Sequence, residues 1–114
     1  MTVLVYIYRD AANYKAQGLV FVDGKLDLDD LRPYLHDDGF IPGDVGLPEL
    51  QSQLQGFPGS DDHVWHELSC VYDSPETREG MIPAGELVAR FKAAAERGWK
   101  VGEACERLGL QSCR

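Results

Sequence analysis

Apolar and polar positions alternate along this chain in patterns that change period from one end to the other. Val3-Leu4-Val5-Tyr6-Ile7-Tyr8 is β-branched and aromatic without a breaker, which predicts a strand. Gly18-Leu19-Val20-Phe21-Val22, closed by Asp23-Gly24, predicts a second. The nine residues 9–17 between them exceed a tight turn, so the pair is expected to form a hairpin with a long connection. Val64, Trp65, Leu68, Val71 and Tyr72 predict a third strand over residues 63–72. In the last third the period becomes helical. Pro83 stands at a helix start, Leu87, Val88, Phe91, Ala94 and Ala95 form one apolar stripe, and Gly98 closes it. Val101, Ala104, Cys105 and Leu108 form a second stripe, stopped by Gly109.

Two stretches between these elements carry other signals. A short helix is expected from Asp30 as N-cap, with Pro33 in the first turn, Leu31, Tyr34 and Leu35 facing the core, and Gly39 as its end. A start at Asp27 would place Pro33 inside the helix and kink it. Residues 40–62 hold Pro42, Gly43, Gly46, Pro48, Gly56, Pro58 and Gly59. They are expected to be mostly loop, with one helical turn around residues 48–55, and a connection this long is more often functional than an ordinary link. The fold class that follows is α+β: a single domain, 1–114, with a small antiparallel sheet of three to four strands and helices packed on one face.

Charge divides the chain. Residues 1–80 hold 15 acids against five bases, and residues 81–114 hold four acids against six bases, within a net charge of −8. The chain thus has an acidic β-rich part (1–80) and a helical C-terminal part (81–114). Such acidity repels nucleic acid and anionic membrane and attracts basic protein surfaces. The longest apolar stretch, residues 3–8, is too short for a span of about 20 residues, and the N-terminus lacks the flank and apolar run of a signal peptide. A soluble cytoplasmic protein is expected. Three cysteines, Cys70, Cys105 and Cys113, are an odd number without a secretion signal, so reduced thiols are expected, with Cys113 exposed and oxidisable.

The densest chemistry lies in Asp61-Asp62-His63-Val64-Trp65-His66-Glu67. On a strand, His63, Trp65 and Glu67 share one face, while Val64, His66, Leu68, Cys70 and Tyr72 share the other. The second face reads as core, with His66 a buried histidine hydrogen-bonded to backbone or to a tyrosine. The first could set an imidazole beside a carboxylate, with Ser69 the one nucleophile nearby. A strand points His63 and His66 to opposite sides, His-x-x-His-Glu inverts the zincin spacing, and zinc would need further ligands such as Cys105 or Cys113. No metal and no cofactor is therefore expected. If the chain is an enzyme, it is a small metal-dependent or His/carboxylate hydrolase built on His63, His66 and Glu67.

A second feature is the loop Tyr8-Arg9-Asp10-Ala11-Ala12-Asn13-Tyr14-Lys15, where Arg9 and Asp10 can pair, Asn13 can set a turn, and two tyrosines offer contact area. The stretch from Gly98 to Ser112, with a helix followed by Leu-Gly-Leu-x-Ser, resembles the front half of a helix-turn-helix, but the sequence runs only to Arg114, leaving no recognition helix, so direct DNA readout is not expected. The two helices are expected to pack on the sheet or on a partner, as in a homo-oligomer.

The two stretches 8–15 and 61–67, with Phe40-Ile41-Pro42 and Val45-Gly46-Leu47-Pro48 between them, resemble small bacterial proteins of unknown function across residues 3–72. That resemblance implies a bacterial or mobile-element origin and no mechanism. The functional expectation is a non-enzymatic acidic protein that binds a basic protein surface, such as that of a nucleic-acid-binding protein, in the manner of an immunity protein, inhibitor or nucleic-acid mimic. Its expected face is Asp10, Tyr14, Asp37, Asp38, Asp61, Asp62, Trp65 and Glu67.

Overall fold

A computed structural model describes residues 1–110. Strands β1 (Thr2–Arg9) and β2 (Lys15–Asp23) form an antiparallel hairpin whose register runs from Thr2↔Val22 to Arg9↔Lys15. β4 (His66–Asp73) pairs antiparallel on the other side of β1. Two-residue strands β3 (Gly39–Phe40) and β5 (Ile82–Pro83) finish a five-stranded sheet of order β3-β4-β1-β2-β5. The α+β class stands, but the sheet has five strands rather than three or four, and β2–β5 is a parallel pair. Two residues each is too short a run for periodicity to register.

The hairpin connection is shorter than the sequence suggested. Lys15 and Gln17 are exposed while Ala16 is buried opposite Tyr8, so the polar stretch before Gly18 already has strand alternation. The turn itself is a three-residue loop: Asn13 N–H donates to the Asp10 carbonyl at 3.0 Å, and Asn13 sits at φ 70°. That left-handed conformation is one that asparagine tolerates.

Segment 24–38 forms two 3₁₀ turns, Leu28–Asp30 and Arg32–Tyr34, in place of one helix beginning at Asp30. The first starts after Asp27, whose N–H donates to Asp30 Oδ2 at 2.9 Å. The run breaks at Leu31 and restarts with Pro33 near the head of the second turn, where its missing N–H leaves no bond unmade. Residues 40–62 are mostly irregular, with the expected helical turn falling at Gln51–Gln53, but their first half is largely buried. Phe40, Ile41, Val45, Leu47 and Leu50 are all buried, and 3₁₀ turns occupy Pro42–Val45 and Gln51–Gln53.

Helix α1 (Ala84–Arg97) buries Leu87, Phe91 and Ala94 on the sheet against Leu4, Tyr6, Val22 and Phe40. Helix α2 (Val101–Leu108) buries Ala104 in a second, smaller cluster with Ile41 and Val64, beside which Trp65 and Leu110 pack. Both helical stripes thus pack inside the chain. Asp44 fixes the corner between the helices: its carbonyl accepts from Arg97 at 2.8 Å and its carboxylate from the Lys100 N–H at 2.8 Å. No helix among the described residues is long and apolar enough to cross a membrane.

β4 corrects the face assignment of its residues. The β1–β4 register shifts between Val5 and Tyr6, so that Cys70 opposes Val5 but Leu68 opposes Tyr6. Ser69 is the extra residue of a bulge, and a bulge inverts which side chains face in. His66, Leu68 and Val71 therefore lie toward the core, while Cys70 and Tyr72, expected inside, are exposed. Cys70 is a free thiol. Cys105 is disulfide-bonded, against the expectation of reduced thiols, because spacing in sequence does not report which sulfurs approach in space. Cys113, and the Gln111 and Ser112 of the helix-turn-helix resemblance, lie outside the described residues.

Candidate functional site

Residues 61–65 do not extend β4 as a strand; only His66 and Glu67 of the segment belong to it. Residues 59–65 form an irregular loop pinned to the end of β1, and Tyr8 is the pin. Its ring is fully buried. The Tyr8 hydroxyl donates to Asp62 Oδ1 at 2.6 Å and accepts from the His63 N–H at 3.1 Å. Asp62 Oδ2 accepts from the Gly59 N–H at 2.8 Å, closing the loop on itself. Burial, with the bond to Asp62 and its charge, pushes the Tyr8 phenol well above the ordinary tyrosine value. One residue pair further along, the Ala11 N–H donates to the Asp61 carbonyl at 3.0 Å, tying the β1–β2 loop to the same segment.

Both histidines serve the backbone, in opposite tautomers. His63 Nδ1 accepts from the Trp65 N–H at 3.0 Å, so Nε2 carries the hydrogen and donates to the Arg9 carbonyl at 2.7 Å. His66 Nε2 accepts from the Leu50 N–H at 3.1 Å, so Nδ1 carries the hydrogen, 3.3 Å from the Val64 carbonyl. These assignments follow from the partners. His66 is fully buried among Tyr6, Tyr8 and Phe40. Burial drives its pKa down to about 3, with the Val64 carbonyl opposing and His63 assisting. Gln51, also fully buried, donates to the His63 carbonyl at 2.9 Å and completes the support.

The carboxylates divide into engaged and open ones. Glu67 lies 3.2 Å from Arg9 Nε, both half-exposed, and Arg9 also donates to Asn13 Oδ1 at 2.9 Å. Arg9 thus pairs with Glu67 rather than with Asp10. Asp10 holds its own loop by accepting the Tyr14 N–H at 2.9 Å. Asp37 and Asp38 form the turn before β3, at φ 47° and 65°, and Asp37 Oδ2 is 3.6 Å from His36 Nε2. Among the described residues, the carboxylates of Asp61 and Asp38 have no hydrogen bond or ion pair.

These parts meet around a cleft of about 590 Å³ walled by Ala11, Asp61, Asp62, His63, Trp65 and Leu110. The Trp65 ring stacks on His36 at 5.1 Å and 21° between planes, which attaches the Asp37–Asp38 turn to the cleft wall. A smaller hollow of about 310 Å³ lies beside exposed Tyr14, against Leu54, Gln55 and Gly56. Of the expected face, Asp61, Asp62 and Trp65 line one cleft; Asp10, Asp37 and Asp38 do not line it, Tyr14 lines the separate hollow, and Glu67 is paired with Arg9 on the sheet. Ser69 is a bulge residue of β4, away from both imidazoles in register. No group of three or more His, Cys, Asp or Glu among the described residues could hold a metal ion.

Tyr8, Arg9, His36 and Gln51 were not among the candidate site residues. Tyr8 joins Asp62 across 54 positions in sequence, and no local pattern encodes such a contact. The one available hint is a tyrosine on the core face of a strand, whose hydroxyl needs a partner when buried.

No family model, curated protein or solved structure matches the chain. The class it can be given is the one its own fold and site define: an α+β protein with an acidic, tryptophan-walled cleft at one end of its sheet.

Proposed function

We propose that this protein is a non-enzymatic binding module that receives a basic surface of a partner protein at the cleft end of its sheet. The observation that carries this reading is the open Asp61 carboxylate in the cleft that Trp65 also walls, where Asp62 is already engaged, with the open Asp38 two residues from the His36 that stacks on Trp65. An unpaired carboxylate next to an aromatic wall suits a lysine or arginine, which gains from both. The commitment of every imidazole nitrogen in the segment to backbone groups favours a structural role for His63 and His66 over acid/base chemistry.

The test is affinity capture from bacterial lysate by wild type and by an Asp61→Lys/Asp38→Lys variant, repeated as salt is raised. The expected result is a basic protein held by wild type and lost both on charge reversal and with salt. Capture indifferent to both would overturn the reading. Asp62 is unsuitable for charge reversal, because its removal would disturb Tyr8 and the loop itself.

A further inference from the structure

We propose that a second copy of this chain adds to the outer edge of β2, joining two sheets into one. This surface is separate from the acidic cleft. β2 is nine residues long, yet β5 covers its outer side only at Val22 and Asp23. Along residues 15–21 no described residue hydrogen-bonds to that side. An edge of this kind presents a row of unpaired N–H and C=O groups, and proteins usually blunt it with charge, proline, a bulge or a short strand.

None of those devices is present along residues 16–22. Ala16-Gln17-Gly18-Leu19-Val20-Phe21-Val22 is uncharged and free of proline in a chain of net charge −8. Its register with β1 is unbroken. The opposite edge of the sheet is managed differently, since β4 carries the Ser69 bulge and is capped at its start by β3. Leu19, 46% exposed, stands on the sheet face away from α1.

The occupant is a second copy because this edge complements itself. Antiparallel pairing about Gly18 sets Ala16 opposite Val20 of the other copy and Gln17 opposite Leu19, all uncharged. At the ends Lys15 falls opposite Phe21, over whose ring the Arg78 guanidinium lies at 4.4 Å, so the self-complementarity belongs to the uncharged centre of the strand and not to its ends. It also sends the two acidic loop ends in opposite directions. Those ends then lie roughly 20 Å apart at about 3.4 Å per residue, well beyond the Debye length of about 8 Å at physiological ionic strength. An edge of this length buries less than the about 800 Å² per partner of stable complexes, so the association is weak and concentration-dependent. Salt strengthens it by screening the net negative charge of each copy, the opposite of the salt effect at the cleft.

Sedimentation velocity on the full chain from about 5 to about 500 μM, at low and physiological salt, tests this. The expected result is a monomer–dimer shift that grows with salt and weakens about tenfold or more in Leu19→Lys, a change at an exposed position. A Gln17→Cys/Cys70→Ser variant reports the register, because the two introduced thiols lie on a diagonal within reach of a short bis-maleimide and should give covalent dimer. A monomer at every concentration overturns the proposal. So does a dimer that survives Leu19→Lys or yields no cross-link at position 17, since another surface would then hold the copies.

Discussion

Replacing Tyr8 by Phe removes one oxygen and tests the hub on which the cleft rests. The hydroxyl donates to Asp62 at 2.6 Å and accepts from the His63 N–H at 3.1 Å. A hydrogen bond to a charged group contributes about 1.5–3 kcal/mol net, and an orphaned buried N–H adds to the loss. Asp62 is only half-buried, so water can replace part of what it loses. The expected cost of Tyr8→Phe is therefore about 2 kcal/mol, which in a domain of this size lowers Tm by roughly 8 °C. Urea unfolding followed by tryptophan fluorescence measures it, since Trp65 lies in the adjoining loop. Asp62→Ala also frees the Gly59 N–H, so neither single variant isolates the pair. The double variant does: a coupling of about 1.5 kcal/mol between the two substitutions is expected. Additivity within about 0.5 kcal/mol would show that the Tyr8–Asp62 contact contributes nothing and that the loop is held by other bonds.

Two further outcomes follow from the same region. His66 has a folded pKa of about 3 against 6.5 unfolded, so the unfolded state binds the extra proton between these values. Stability is present in full above about pH 6.5 and falls as pH drops toward 3, by up to roughly 5 kcal/mol. Ring-carbon NMR should show no His66 titration before acid unfolding, and a midpoint above pH 5 would contradict the buried neutral ring. Asn13→Ala forces an alanine to φ 70° and also removes an acceptor of Arg9; about 1–2 kcal/mol is expected to be lost in denaturant unfolding. Asn13→Gly should recover most of it, because glycine carries no strain at that φ.

The helical third was the most legible part of the chain. The start at Pro83, the stop at Gly98, and the burial of Leu87, Phe91, Ala94 and Ala104 all match the apolar stripes, because a helix face is written in residues three and four apart. β1 was equally plain. Errors gathered where one residue changes the phase or the conformation. The Ser69 bulge turned Cys70 and Tyr72 outward, and Pro33 divided a helix into two 3₁₀ turns. The glycines and prolines of residues 40–62 hid a buried stretch, since breakers mark irregular backbone and not exposure.

Of the segment 61–67 that composition singled out, Asp61, Asp62, His63 and Trp65 line the cleft, but composition could not assign what each of them does. Asp61 and Asp62 are adjacent and chemically identical, yet Asp62 is bound to Tyr8 while Asp61 is open. The two histidines read alike in sequence, and only their neighbours decide which nitrogen of each carries hydrogen.

The sequence by itself determined the class of fold, the strands and helices with sustained period, the acidic character of the first 80 residues and the segment that lines the cleft. These depend on side-chain order and local backbone preference, which neighbours along the chain supply. Tertiary structure decided which carboxylates are engaged, how both imidazoles are oriented, which face of β4 is inside, and which edge of the sheet is left open. Each of those depends on groups tens of residues apart meeting at hydrogen-bond distance, and burial then sets their charge and their partners.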